Sequence, residues 1–249
     1  MTQAAHTAVL PVSPPSPRSP RPWLPWRIHF ERQRLRPAPP MDGAAASEMS
    51  PRVAAAVAWS LARFQIGEVG EGRLVAAVER STMAGIDDDY RAALALFIRE
   101  EGRHAAILAA CVRALGGQLL ATTWTERGFV RARRLAGIRF KLLAMFAAEV
   151  VGIGFYGALA GALPPGPVRA ALEEIAADER AHLAFHRRFF ALQAPRGWRR
   201  ALFLAAWYSL APAAVLVVLL DHRRTLRTLG ISVRTMAARL SSLIVEGAR

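Results

Sequence analysis

The chain has 249 residues, 53% of them hydrophobic, and a formal net charge of +14 at pH 7. This length and composition allow a full hydrophobic core in one or two domains and exclude wholesale disorder. The single cysteine, Cys111, excludes a disulfide framework and a thiolate metal cluster, and the arginine-rich excess of positive charge lacks the aromatic interleaving of a nucleic-acid surface, so no nucleic-acid partner is expected.

The first 47 residues differ in composition from the rest of the chain. Residues 1–47 are rich in Pro, Ala, Arg and Ser and show no sustained hydrophobic period, which predicts a disordered tail. Pro25 argues against a helix in the aromatic and basic stretch 23–30. The compact apolar run of a secretory signal is missing from this stretch, so we expect a cytoplasmic protein.

Residues 48–194 carry four helical patterns and form the main predicted domain. Ser50 is the expected N-cap of the first helix, and the second runs from Asp87 to Gly116. The Leu-Pro-Pro-Gly-Pro sequence at 163–167 ends the third helix and precedes the fourth. The predicted fold class is therefore all-α, an antiparallel four-helix bundle.

Two Glu-x-x-His motifs lie at 101–104 and 179–182. Residues three apart lie on one face of a helix, so each Glu and its His can reach a common point beside the helix, which is the geometry of a metal clamp. The first and third helices add acids on their apolar stripes. The candidate metal ligands are Glu68, Glu71, Glu101, His104, Glu149, Glu179 and His182.

The inward acids need a compensating charge. An ionised carboxylate in an apolar core costs several kcal/mol unless it is paired or coordinated, and no Lys or Arg lies on the same stripes. Four carboxylates and two divalent cations form a neutral centre, and oxygen with imidazole ligands suits Fe, Mn or Zn. We predict two Fe ions, with Mn as the alternative. Equal spacings of 30 residues, from Glu71 to Glu101 and from Glu149 to Glu179, favour Glu71 over Glu68, although either remains open.

These motifs resemble those of a known superfamily. Glu-Glu-Gly-Arg-His at 100–104 and Ala-Asp-Glu-Arg-Ala-His at 177–182 look like the paired motifs of acyl carrier protein desaturases. Glu-Val-Gly-Glu at 68–71 is similar to the first-helix motif of bacterial multicomponent monooxygenases and demethoxyubiquinone hydroxylases. Residues 50–192 thus resemble the ferritin-like di-iron carboxylate superfamily.

The resemblance implies a ferritin-like bundle in which the candidate acids and histidines hold the metal pair. It further implies that Glu100 and Asp178 accept hydrogen bonds from the opposite imidazole rings and orient them. An extra inward histidine, His186, departs from the pattern and is placed beside the ligands. By this likeness the catalytic centre consists of Glu71 (or Glu68), Glu101, His104, Glu149, Glu179 and His182.

The expected activity is an O₂-dependent oxidation that hydroxylates, desaturates or N-oxygenates a small apolar molecule, with an undefined electron donor. Two alternatives remain open: an iron-handling protein with ferroxidase or peroxidase activity, and a membrane-associated protein with a structural metal. A homodimer is compatible with each of them.

Residues 195–249 form a predicted helical extension. The segment 201–220 is uncharged, flanked by arginines and just long enough to cross a bilayer. Pro212 weakens the spanning interpretation, so we favour a fifth helix buried against the bundle, in a protein that is soluble or peripheral to a membrane, over a helix embedded at the inner face of the membrane. An amphipathic stretch at 232–245 follows.

Overall fold

A computed structural model describes residues 21–41, 48–69, 72–123, 128 and 137–249. Within these ranges the secondary structure consists of helices and contains no strand, which confirms the predicted all-α class. The helices bounded within the described residues are α1 (Leu24–Gln33), α2 (Pro51–Glu68), α3 (Gly72–Glu79), α4 (Asp88–Ala114), α5 (Ile138–Ala162), α6 (Pro167–Gln193), α7 (Gly197–Asp221), α8 (Arg223–Thr228) and α9 (Val233–Gly247).

Side-chain caps fix the starts of several helices. The Ser50 hydroxyl accepts the Val53 backbone N–H at 3.3 Å at the start of α2. The Asp87 carboxylate accepts the Tyr90 N–H at 2.8 Å before α4. Gly116 follows the end of α4 with a φ of +72°, a conformation that favours glycine. The predicted limits of this helix are confirmed.

Helices α2, α4, α5 and α6 pack in two pairs, α2 with α4 and α5 with α6, and the pairs meet where α4 contacts α6. The last helix, α9, crosses α5 at close range. A Cβ atom on Gly154 of α5 would clash with the Leu240 side chain of α9, so the missing side chain of glycine favours this close approach. The core therefore surrounds α5 on several sides.

Helix α1 corrects the expectation of a disordered tail for residues 24–33. Trp23 and Phe30 are buried in the core, and the Trp23 indole N–H donates to the Gly85 carbonyl at 2.9 Å. Pro25 lies in the first turn, where the missing backbone N–H would have no helical partner. Buried aromatic area therefore stabilises this helix. Residues 1–20 and 42–47 lie outside the described residues.

The first predicted helical stripe is divided in the structure. Helix α2 ends at Glu68, Val69 has extended backbone angles, and α3 begins at Gly72. Glu71, the acid favoured by spacing, lies outside the described residues.

Helix α7 runs unbroken from Gly197 to Asp221 with Pro212 inside it, and it is only partly buried, which corrects the expectation of a fully buried fifth helix. It packs on the rest of the protein along one stripe with a spacing of four residues, and its opposite face is exposed. Contact along the whole stripe explains why one proline does not end the helix. The buried residues are Phe203, Trp207, Ala211, Val215 and Leu219. Two helices, α5 and α7, are long and apolar enough to cross a membrane by length and composition.

Candidate metal centre

The two Glu-x-x-His motifs face each other across α4 and α6. Glu101 and His104 lie one turn apart on α4, and Glu179 and His182 lie one turn apart on α6. All four side chains are buried, and one ligand atom from each lies within 4.8 Å of the others. This buried cluster could hold a metal ion.

Both imidazole rings direct Nδ1 into the cluster. His182 Nδ1 lies 2.8 Å from Glu101, 3.3 Å from Glu179 and 3.6 Å from Glu149 of α5. His104 Nδ1 lies 3.2 Å from Glu179 and 3.6 Å from Glu101. Three helices thus bring three carboxylates and two imidazoles together.

The other nitrogen of each ring meets an acid from the opposite helix. His104 Nε2 lies 3.2 Å from Asp178, and His182 Nε2 lies 3.1 Å from Glu100. Each acid immediately precedes a motif Glu, so one helix supplies both a cluster carboxylate and the acceptor for its partner's ring. This reciprocal arrangement fixes both ring orientations. The extra histidine, His186, has its Nε2 3.6 Å from Glu149.

Two arginines that sequence reasoning missed close the outer side of the cluster. Arg36 donates to Asp178 and lies 3.4 Å from Glu174. Arg103 donates to Glu174 and to the Pro37 carbonyl. Arg36 belongs to the supposed tail and follows no helical period, so no sequence signal pointed to its role.

Among the described residues, Glu68 is the acid of the first predicted helix that lies at the cluster. Its carboxylate accepts a hydrogen bond from the Tyr156 hydroxyl at 2.6 Å, and its charge interacts with Glu101 and Glu179. Sequence reasoning missed the role of Tyr156, although its position seven residues after Glu149 on α5 was an available signal. The choice between Glu68 and Glu71 as metal ligand stays a prediction.

The crowded acids perturb one another's protonation. Burial, together with the charges of neighbouring carboxylates, raises the pKa of Glu179 to about 8, and burial raises the pKa of Glu149 and, well above its usual range, that of Glu68. For Glu101, burial opposes ionisation but the His182 charge and the bonds from both histidines lower the pKa well below its usual range. Protons therefore compensate part of the buried negative charge when metal is absent.

The unpaired polar atoms of the cluster show that these residues fit a bound metal ion. Among the described residues, His104 Nδ1 and one oxygen of Glu101 are buried without a hydrogen bond of acceptable geometry. Buried polar atoms are rarely left unpaired, and both atoms point into the ligand cluster. Oxygen and imidazole donors match iron, manganese or zinc.

A cavity of about 490 Å³ opens onto the carboxylate side of this cluster. Apolar side chains from α2, α5 and α7 form most of its wall, while Glu68, Glu101, Glu149 and Glu179 form one end. The cluster is thus reached through an apolar space large enough for a small molecule.

Comparisons with protein-family models, with curated proteins and with solved structures found no match to this chain. Its own geometry therefore defines its class: a helical protein with a buried carboxylate and histidine cluster that could bind a metal.

Proposed function

We propose that this protein is a ferritin-like di-iron carboxylate oxidoreductase that uses O₂ to oxidise an apolar small molecule. The observation that carries the proposal is the contact between the carboxylate cluster and the apolar cavity. A structural metal site or an iron store does not need an apolar cavity at its ligands.

The helix arrangement supports a bundle of this type. Two Glu-x-x-His helices, α4 and α6, face each other, and α2 and α5 each add one acid, Glu68 and Glu149. This is the ligand pattern of a four-helix di-iron centre. When bound, a pair of iron ions would supply O₂ activation and the oxidising equivalents.

The chain's own residues hold and orient the site. Glu100 and Asp178 accept the outer N–H groups of the two ligand rings, which leaves each Nδ1 free to bind metal. The rings of Phe30 and Phe97 lie against His182, with centroids 5.8 Å and 4.5 Å away, and help to exclude water on that side. Substrate therefore approaches from the cavity side.

Metal content and O₂ reactivity test the proposal together. The full chain is loaded anaerobically with Fe(II), the metal per chain is measured, and absorption is followed by stopped flow after mixing with O₂. We expect about two iron ions per chain and a transient absorption. Glu101→Ala should remove most of the iron, whereas Glu173→Ala, an exposed acid on the same helix as Glu179, should leave it unchanged.

Product analysis separates oxidation from iron handling. Incubation with a panel of apolar compounds and a chemical reductant should yield an oxygenated or desaturated product. Absence of transition metal after loading would refute the proposal. Accumulation of ferric mineral without organic product would instead identify an iron-handling protein.

A further inference from the structure

The far end of the cavity carries polar groups that the metal chemistry does not use. His222, Arg63 and Asp221 line this end, whereas Glu68 lines the end at the cluster. Ser60, which contacts His222, lies on α2 about 12 Å from Glu68 at a rise of roughly 1.5 Å per residue. Phe64, Val217 and other apolar side chains line the same cavity.

A one-way chain of hydrogen bonds fixes the proton on His222. The Thr225 hydroxyl donates to the Ala56 carbonyl at 2.9 Å, and the Ser60 hydroxyl donates to Thr225 Oγ1 at 2.8 Å. Each hydroxyl has one hydrogen, so Ser60 cannot also donate to His222 Nδ1, which lies 2.8 Å away. His222 must therefore donate from Nδ1 to Ser60, which leaves Nε2 as an acceptor.

His222 Nε2 has no hydrogen bond within the described part of the chain, and an oxygen of Asp221 lies 4.0 Å from it. The ring is buried and packs against Phe64 and Phe155, with centroids 4.9 Å and 4.8 Å away. A purely structural buried histidine would pair both nitrogens. The unused acceptor belongs to a residue that lines the cavity.

The charge at this end is balanced without a ligand. Arg63 Nε lies 3.4 Å from Asp221, and the two form an ion pair. Burial and the nearby Arg63 charge lower the pKa of His222 to about 3, so the ring is neutral at physiological pH. A neutral hydrogen-bond donor is therefore favoured here over a carboxylate or an amine.

We propose that His222 Nε2 is a specificity-determining acceptor for a neutral hydroxyl or N–H group of the apolar substrate. This inference rests on the proposed function, since it assigns the orientation of that substrate: the donor group lies at His222 and the opposite, apolar end lies at the carboxylate cluster. Ser60 and Thr225 are positioning residues that hold the imidazole tautomer.

A matched pair of probes tests this acceptor by binding alone. 4-Pentylphenol and 4-pentylanisole differ in that the methyl ether cannot donate a hydrogen bond. Affinities are measured by calorimetry on the full chain, with iron and without it. We expect the phenol to bind about tenfold more tightly than the ether, as one neutral hydrogen bond provides. Equal affinities for wild-type protein overturn the proposal, and no variant is needed for that result.

Variants test whether His222 causes the preference for the phenol over the ether. His222→Leu should abolish it, and His222→Gln, which retains an acceptor oxygen, should keep part of it. His29→Leu makes the same change on α1, outside the cavity lining, and should leave the preference intact. A preference that survives in a folded His222→Leu protein refutes the assignment. Because turnover is not measured, loss of the preference and loss of iron or O₂ reactivity are separate results.

Discussion

Helices α5 and α7 have the same length and similar apolar composition but opposite surroundings. In the most apolar 18-residue window of each helix, 83% of the residues are buried in α5 and 22% in α7. Helix α5 contacts α6, α7 and α9 and brings Glu149 into the cluster. Helix α7 contacts its neighbours along one stripe and exposes Trp198, Leu202, Leu216 and Leu220 on the other side.

The difference shows that hydropathy measures how apolar a helix is and not what covers it. The buried helix needs side chains that match neighbours on all sides, including glycine where α9 approaches. The half-exposed helix needs one matching stripe. Its outer face is a large exposed apolar surface, with Arg199 exposed near one end and Arg223 and Arg224 just beyond the other, a combination that suits an anionic membrane surface.

The strongest test of this difference places the same charge on each helix. Leu159 of α5 is fully buried, whereas Leu216 of α7 is 58% exposed. Leu159→Arg should lower the free energy of unfolding by about 3–5 kcal/mol, because it buries an unpaired charge. Leu216→Arg should change it by less than about 0.5 kcal/mol. Urea titrations measure both, and equal losses would contradict the assigned surroundings.

Helix α1 extends the comparison to neighbouring side chains. Phe30 is buried against Phe97 and Phe185, while Ile28 is exposed. Phe30→Ala should destabilise the protein by about 3 kcal/mol through the cavity it leaves, and Ile28→Ala should have little effect. Thermal unfolding checks this pair. A negligible loss for Phe30→Ala would restore the view of this segment as a tail.

The exposed face of α7 should bind membranes. Wild-type protein is expected to sediment with vesicles that contain anionic lipid, and replacing Leu202, Leu216 and Leu220 by Ser should weaken binding on the order of thirtyfold, through lost apolar burial. High salt should weaken the remaining charge attraction. Equal sedimentation of the wild-type and triple-serine proteins would contradict membrane binding through α7.

The smallest predicted change in stability is the pH dependence that arises from the buried carboxyl groups around α5. In metal-free protein the raised pKa of Glu179, about 8, stabilises the fold below the unfolded carboxyl pKa, and this stabilisation is lost as pH rises through about 8. The raised pKa values of His104 and His182 act in the same direction. A bound metal would replace these protons, so its stabilising effect should grow by about 2 kcal/mol between pH 6 and pH 8.

Calorimetric unfolding at pH 6 and pH 8, with and without metal, checks the direction of this change in stability. Glu179→Gln should reduce the pH dependence of the metal-free protein. A metal-free protein that becomes more stable from pH 6 to pH 8 would contradict the direction.

Sequence reasoning located the long helices well because their caps are local. Ser50, Asp87 and Gly116 act on adjacent backbone groups, so their effect is readable from the chain. The spacing of the paired motifs likewise predicted which side chains would share a helix face. Helix α1 was missed because its stability comes from Trp23 and Phe30 packing on distant helices, which no local period records.

The local sequence also did not predict the cavity or the role of His222. The hydrogen-bond chain joins residues more than 160 positions apart, from Ser60 to Thr225. The donor-to-acceptor direction of this chain is set by the single hydrogen of each hydroxyl. It can be assigned only when the contacts among Ser60, Thr225 and His222 are known. The exposure of α7 similarly depends on which neighbours are present and not on its own composition.

The contact between Arg36 and Asp178 has a consequence for the order of assembly. These residues are 142 positions apart in the sequence. The outer side of the cluster therefore forms only after the chain segment between them has been synthesised and its two ends have come together. During synthesis the α4 motif emerges well before its α6 partner. A nascent chain therefore exposes half of the candidate ligands before the cluster is complete, so any metal that needs both motifs must bind after translation of α6.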